Sequence, residues 1–242
     1  MLFCKLVFLQ IGVSLPAATQ YLEWSRRLCY RVTKAVGRVA YNNPMTGFPV
    51  HIRKEKEEVT EYRFRSNGKN AKLYLKERLN VANPTKTSTS SVPAMIHSVD
   101  AGILMMSVER SDFPVALIHD SFGSHPNNMS TLKENVNISL NDIYESNVLQ
   151  SIADQLIESL LDRKSEMMEN NPTLSIFEEA GKAKMERLLE DNEVVSREEM
   201  EELFTINKSL NYIKMMQLDT APYQGTFKNG SQSILNSEHG FS

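Results

Sequence analysis

Apolar residues recur at helical spacing near the amino terminus of this chain. In residues 16–38 the apolar positions on one predicted face are Ala18, Leu22, Cys29, Val32 and Val36. Pro16 suits a first helical turn and Gly37 suits a helix end, so the pattern predicts one amphipathic helix. Two short apolar runs then flank an Asn-Asn-Pro turn at residues 42–44, which predicts a β-hairpin over residues 39–52.

Alternation with a period of two predicts a longer hairpin over residues 59–79. Apolar and basic residues alternate there on both sides of the pair Asn67 and Gly68. Asn-Gly favours a tight turn because both central positions of a type I′ turn need positive φ. A basic two-stranded ribbon fits the major groove of DNA. The candidate nucleic-acid contacts are Arg63, Arg65, Lys69, Asn70 and Lys72, and a solvated hairpin is the alternative.

In the middle of the chain, a segment with a loop-like composition is followed by apolar residues at helical spacing. Residues 83–93 are rich in Pro, Ser and Thr, which predicts a linker or mobile loop. A helix is then predicted to begin near His97, with His97 and Asp100 on one face. Its other face carries Ile96, Val99, Ile103 and Met106. Further helices are predicted from the buried row Leu132, Val136, Leu140 and Ile143, and from residues 147–161.

The segment 116–123 (ALIHDSFG) has the most specific chemistry. An apolar run that we expect to be a buried strand ends in His119, Asp120 and Ser121. A carboxylate fixed at a strand end suits Mg²⁺, which prefers hard oxygen ligands. Asp120 is therefore a candidate metal ligand. The alternative is that Asp120 only caps or turns the strand.

Composition and charge narrow the class of protein. The 242 residues are 41% apolar and 24% charged, which is typical of a globular protein. The net charge of −3 divides into +10 for residues 1–86 and −13 for residues 87–242. A basic half predicts a polyanionic partner, and an acidic half predicts a solvated or protein-facing surface.

The cysteines and the first residues indicate the cellular compartment of the protein. Cys4 and Cys29 are too few for a zinc site or a disulfide scaffold, so we expect a reducing cytoplasm. Residues 1–18 imitate a secretory signal, but they lack a positive start and Lys5 interrupts the apolar run. We expect a packed helix there, with a signal peptide as the alternative. The run is also too short to span a membrane, so no membrane partner is expected.

Several segments, in order along the chain, carry a family resemblance: residues 47–50 (GFPV), 96–102 (IHSVDAG), 116–123 (ALIHDSFG), and 144–146 (YES) with 153–156 (ADQL). They resemble the carboxyl-terminal palm region of the single-subunit RNA polymerases of bacteriophages and mitochondria. The end of the chain resembles the family's terminal segment, through Pro222, Gly225, Ile234, Leu235, Ser237 and Phe241. The resemblance covers about residues 16–161 and 221–242.

The resemblance implies a site that this chain only partly contains. The family's other metal-binding Asp lies in an Asp-Gly motif, and its nucleotide-binding helix carries a Tyr-Gly pair. Neither dipeptide occurs here. Because two-metal catalysis needs ligands from more than one element, we expect this chain to be inactive alone. The resemblance therefore implies the smaller subunit of a split polymerase, or a truncated product.

The resemblance also implies roles for single residues. Asp120, together with an Asp of the complementary chain, would bind two Mg²⁺ ions for nucleotidyl transfer. His119 would orient the carboxylate or the primer end, and Ser121 and Phe241 would support the site. His97 would lie beside the new base pair, and a helix-capping role is its structural alternative. The implied partners are promoter and template DNA, nascent RNA, ribonucleoside triphosphates and the complementary subunit.

We therefore expect an α+β chain with a partial polymerase right-hand fold. The predicted division is a helical segment 1–40, a specificity-hairpin region 41–93, the palm 94–161, an acidic, Met-rich helical insertion 162–220, and a returning segment 221–242. The implied location is the cytoplasm of a phage-infected bacterium. The alternatives are a fragment of a family A DNA polymerase, which would place Glu where this chain has Ser121, and a non-catalytic DNA-binding remnant.

Overall fold

The computed structural model describes residue 10 and residues 13–66, 69–118, 121–177 and 195–222. The described residues form five long helices: α1 Pro16–Val36, α2 Pro84–Glu109, α3 Met129–Glu145, α4 Val148–Asn170 and α5 Arg197–Met215. Three antiparallel strand pairs accompany them: β1 Val39–Asn42 with β2 Pro49–Ile52, β3 Glu55–Ser66 with β4 Lys69–Ala82, and β5 Ala116–Ile118 with β6 Ser121–Gly123. Short 3₁₀ helices cover Pro126–Asn128 and Pro172–Phe177. The α+β class is confirmed.

Helix α1 has the predicted bounds, but its buried face is rotated from the predicted one. Pro16 lies in the first turn, and Gly37 ends the helix at φ +82°, where its N–H donates to the Thr33 carbonyl. Glycine suits this position because the left-handed region strains other residues. Ala18 and Leu22 are exposed, contrary to expectation. The large apolar residues that the helix buries are Trp24, Leu28, Cys29 and Val32.

The predicted linker at residues 83–93 is wrong, because α2 begins at Pro84. The Asn83 side chain caps the helix by accepting a hydrogen bond from the Lys86 N–H at 3.1 Å, and proline is well suited to a first turn. The hydroxyls that suggested a loop donate to carbonyls one turn earlier, as Ser91 does to Thr87 at 2.8 Å. Their small side chains let α2 pack on α1, so tertiary packing outweighs the loop-like composition.

One apolar core joins α1, β1, α2, α3 and α4. Its fully buried members include Leu28, Val39, Met95, Ile152 and Leu156. The predicted buried row of α3 is confirmed at Leu132, Val136, Leu140 and Ile143. A buried hydrogen bond, from Trp24 Nε1 to the Leu218 carbonyl at 3.1 Å, fixes the chain beyond α5 against α1.

A second, smaller core lies between α4 and α5, around Met167, Leu174, Val195, Met200, Leu203 and Ile206. Ala35 and Leu210 pack against both cores, which makes the two continuous. Helix α4 runs without interruption through residues 161 and 162, and α5 begins with a capping box between Ser196 and Glu199. The hydrogen bonds from Ser196 hold the pKa of Glu199 below its usual value.

Helix α2 has the length and composition of a membrane span, with a mean hydropathy of 1.3 over its most apolar window. Among the described residues it is the one helix that meets this criterion. It packs on α1 and α3 and buries Met95, Ile103 and Met106. A helix in the core of a protein has the same composition, so the length and hydropathy of α2 are weak grounds for a membrane span.

The expectation of a buried strand at β5 is wrong. Leu117 is 43% exposed and Ile118 is 70% exposed. The strand pairs with β6 alone, and a two-stranded sheet leaves both faces open unless another element covers them.

Candidate functional site

The first part of the candidate site is the contact between the β1–β2 hairpin and α2. Asn43 is buried at the hairpin turn, where its Nδ2 donates to the Ser98 carbonyl at 2.5 Å and its Oδ1 accepts from the Met45 N–H at 2.9 Å. Gly102 faces the same amide, since a Cβ there would lie 3.2 Å from Asn43 Nδ2. Gly47 closes the turn at φ +71°. Asn43 was not predicted as a site residue, although its place before Pro44 indicated a turn.

The motif at residues 96–102 therefore has an inner and an outer side. Ser98 and Gly102 contact the hairpin, and the Ser98 hydroxyl lies 3.0 Å from the Tyr41 hydroxyl. His97 and Asp100 are exposed in the middle of α2. Because His97 lies more than three turns from Pro84, the capping alternative for this residue is wrong. An exposed imidazole in the middle of a helix is accessible to a bound ligand.

The β5–β6 pair flanks the candidate metal ligand. Ile118 pairs with Ser121, and the Ser124 hydroxyl donates to the Pro114 carbonyl at 2.8 Å at the base of the pair. Ser121 is exposed. His119, Asp120 and Phe241 lie outside the described residues. Within the part of the chain that the structure describes, no group of three or more His, Cys, Asp or Glu side chains could hold a metal ion. The described residues alone therefore do not form a magnesium site.

The β3–β4 hairpin is confirmed and carries two different faces. In an antiparallel pair, residues directly opposite each other share a face, and the face alternates along each strand. The register pairs Tyr62 with Leu73 and Phe64 with Ala71, so one face is apolar. The other face includes Arg63 opposite Lys72, Arg65 opposite Asn70, Val59 opposite Lys76 and Glu57 opposite Arg78.

This register separates the predicted nucleic-acid contacts. Arg63, Arg65, Asn70 and Lys72 share the basic face, whereas Lys69 pairs with Ser66 on the apolar side. Lys76 and Arg78, which extend the basic face toward the base of the hairpin, were not among the predicted contacts. Alternation along β4 was the signal that could have found them. We call the face with Arg63, Arg65, Asn70, Lys72, Lys76 and Arg78 the basic face.

One carboxylate forms ion pairs with two of these cations. A single oxygen of Glu61, Oε1, accepts from Arg63 Nε at 2.7 Å and lies 3.0 Å from Lys72 Nζ. Arg65 makes no ion pair or hydrogen bond with the described residues. Near the base, the hydrogen bond and charge of Lys86 hold the pKa of Glu57 below its usual value, with smaller contributions from Lys76 and Arg78.

The base of the hairpin is fixed to the start of α2. The Lys54 N–H donates to the Thr87 hydroxyl at 3.0 Å, and the Asn83 N–H donates to the Lys54 carbonyl at 2.7 Å. Arg53 donates to the carbonyl of Asn80 at 2.8 Å, where β4 has a residue at φ +52°. A long exposed ribbon with a fixed base can present its basic face in one direction.

Comparison with known proteins places the sequence of this chain in a family. Residues 2–242 match the family described as DNA-dependent RNA polymerase. A curated relative from Gelasinospora sp. (strain G114), named a probable DNA-directed RNA polymerase, is 33% identical over 105 residues. That match covers 43% of this chain and 13% of the relative, so the matched region is a small part of the relative's length.

Proposed function

The chain belongs to the DNA-dependent RNA polymerase family of the single-subunit, phage and mitochondrial type, and from this membership we propose that it forms the carboxyl-terminal palm portion of a DNA-directed RNA polymerase. The observation that carries the proposal is the family match along nearly the whole chain. The pairing of β5 with β6 directly before and after His119 and Asp120 supports it.

In this proposal Asp120 is a catalytic metal ligand. Its carboxylate would contribute to binding Mg²⁺, which stabilises negative charge during nucleotidyl transfer. The remaining ligands would come from a complementary chain, because the Asp-Gly motif that carries the family's other metal-binding Asp does not occur in this sequence. His119 and Ser121 would position the carboxylate or the primer end, and Phe241 would support them.

His97 and the β3–β4 hairpin would contact nucleic acid. His97 would lie beside the new base pair, and its exposure in the middle of α2 supports this role. The basic face of the hairpin would bind promoter DNA through phosphates and base edges. Template, nascent RNA and ribonucleoside triphosphates would be the other ligands, in a reducing compartment such as the cytoplasm.

A second candidate function is DNA binding without catalysis. The basic face alone is enough for it, since phosphate contacts dominate non-specific affinity for DNA. A family A DNA polymerase fragment is less consistent with the family match. To distinguish a catalytic polymerase subunit from a protein that only binds DNA, ribonucleotide incorporation must be assayed as well as DNA binding.

The test is primer extension by the native assembly. The tagged chain is purified with its associated proteins from its natural host and given an RNA primer on a DNA template, ribonucleoside triphosphates and Mg²⁺. We expect extension by the assembly and none by the purified chain alone. Asp120→Asn is expected to reduce extension by about 100-fold or more without changing the associated proteins, since it removes a metal-binding charge.

The matched control is Asp112→Asn, which removes the same charge from an exposed position shortly before β5. This variant is expected to extend the primer like the unmodified assembly. Near-normal extension by the Asp120 variant would contradict the proposed catalytic role. Extension by the purified chain alone would contradict the need for a complementary subunit.

A further inference from the structure

A basic cavity of about 390 Å³ lies between α1, the first turn of α2 and α5. It is separate from the basic face of the hairpin and from β5–β6. Its lining includes three arginines of one helix, two tyrosines and a threonine: Arg26, Arg27, Arg31, Tyr30, Tyr212 and Thr85. The sequence indicated that residues 1–86 are basic but did not indicate a cavity, because Tyr212 is distant along the chain.

Arg31 is held in position by aromatic rings. Its guanidinium carbon lies 3.7 Å from the centre of the Tyr212 ring and 5.9 Å from that of Tyr30. These are cation–π distances. A stacked guanidinium keeps its N–H groups at the ring edge available as donors, and Arg31 forms no ion pair within the described residues. The stacking fixes a cation that has no anionic partner among the residues that the structure describes.

The other charges of the cavity leave it positive. Arg26 is exposed and makes no ion pair or hydrogen bond with any described residue. Arg27 pairs with Glu23 at 3.1 Å, four residues earlier on α1, and both side chains are about half exposed. Such a surface pair is weak and can exchange its carboxylate for another anion. The described lining residues therefore carry three positive charges against one negative charge.

We propose that this cavity binds a phosphate group of a nucleic-acid strand, as a second contact beside the basic face of the hairpin. The proposal rests on the proposed function. A strand is favoured over a free nucleotide because consecutive residues in the first turn of α2 connect the cavity with the base of the hairpin that carries the basic face. Thr85 lines the cavity, and the next residue, Lys86, contacts Glu57 at the base of the hairpin at 3.2 Å. One strand could therefore follow the hairpin and reach the arginines.

The first test is DNA binding by the full chain, measured by fluorescence anisotropy with a labelled duplex that has a single-stranded tail. Losing one phosphate contact to a single strand lowers the slope of log affinity against log salt by about 0.7, which is about a 5-fold loss at 0.1 M salt. We expect this loss for Arg26→Gln. The control Lys34→Gln removes one charge from the exposed side of the same helix, outside the cavity, and is expected to change affinity less than about 2-fold.

The second test changes no charge. Tyr212→Leu removes the ring that holds Arg31, whereas Tyr212→Phe keeps it. We expect the leucine variant to lose about as much affinity as Arg31→Gln, and the phenylalanine variant to bind like the unmodified chain. Thermal unfolding followed by circular dichroism shows that each variant is folded at the assay temperature. Equal affinities for the leucine and phenylalanine variants would overturn the role of the stacked arginine.

The outcomes also separate this proposal from the proposed function. If Arg26→Gln and Arg31→Gln bind DNA normally while Arg65→Gln binds weakly, the cavity proposal is overturned and the hairpin contact stands. If Arg65→Gln binds normally and the cavity variants bind weakly, the hairpin contact fails instead. If the cavity variants lose affinity for a ribonucleoside triphosphate or for inorganic phosphate but not for DNA, the cavity binds a free phosphate compound and the strand assignment is overturned.

Discussion

Replacing Glu61 by glutamine is expected to tighten the binding of duplex DNA. In the structure, one oxygen of Glu61 contacts both Arg63 and Lys72 on the basic face. The change keeps the size of the side chain and removes its negative charge. Two cations are then released toward solvent on the face that we propose binds DNA.

The magnitude follows from the number of phosphates that the released cations reach. Each phosphate contact on duplex DNA adds about 0.9 to the slope of log affinity against log salt, or about 8-fold at 0.1 M salt. One new contact is thus worth about 1.2 kcal/mol of binding free energy. The cost is small, because exposed ion pairs contribute only about 0.2–1 kcal/mol to stability. The Arg63 side chain is 74% exposed and that of Lys72 is 52% exposed.

The assay is a salt titration of duplex binding by fluorescence anisotropy. Glu58→Gln is the matched control, since it removes the same charge from the opposite, apolar face of the same strand. We expect a steeper salt slope and about 8-fold tighter binding for the Glu61 variant only. Equal gains for both variants would show a general charge effect. Unchanged or weaker binding by the Glu61 variant would refute the assignment of this face to DNA.

Two further predictions concern the buried contacts of α1. Trp24→Phe leaves the Leu218 carbonyl without its buried donor, so we expect the free energy of unfolding to fall by about 1–3 kcal/mol. Urea unfolding followed by circular dichroism measures this loss, and an unchanged midpoint and slope of the unfolding curve would contradict it. Burial raises the pKa of Cys29 to about 12. In a Cys4→Ser variant we therefore expect iodoacetamide to leave the native thiol unmodified at about pH 8 and to alkylate it in concentrated guanidinium chloride; labelling of the native chain would refute the burial.

Local sequence patterns predicted the elements whose signals lie within a few residues. Alternation around Asn67 and Gly68 predicted the β3–β4 hairpin, and Pro16 with Gly37 predicted the bounds of α1. Even the pairing of Glu61 could have been predicted, because a two-residue turn fixes the register and places its carboxylate near Lys72. For these features, the turn residues and the spacing of apolar residues are enough to predict what the structure shows.

The features that the sequence did not predict depend on partners far along the chain. The hydroxyl-rich composition at the start of α2 predicts a loop, but in the structure α1 covers its small side chains. Ser91, whose side chain forms a hydrogen bond with Cys29, is an example. Ile118 is exposed because no element among the described residues covers it. A local sequence pattern cannot predict whether a distant element covers a strand. Arg31 becomes a fixed cation only because α5 brings Tyr212 to it. In each case tertiary packing determines the role of the residue.

The charge division of the sequence has a structural counterpart at the first turn of α2. The basic half of the chain ends at Lys86, which contacts Glu57 at the base of the hairpin. The preceding residue, Thr85, lines the arginine cavity. The first turn of α2 therefore contacts both the base of the β3–β4 hairpin and the cavity lined by the arginines of α1, whereas the acidic half supplies most of α2 and all of α3, α4 and α5. A net charge of −3 is thus compatible with a polyanion-binding surface, because attraction to a phosphate strand depends on local charge within about a Debye length rather than on the total.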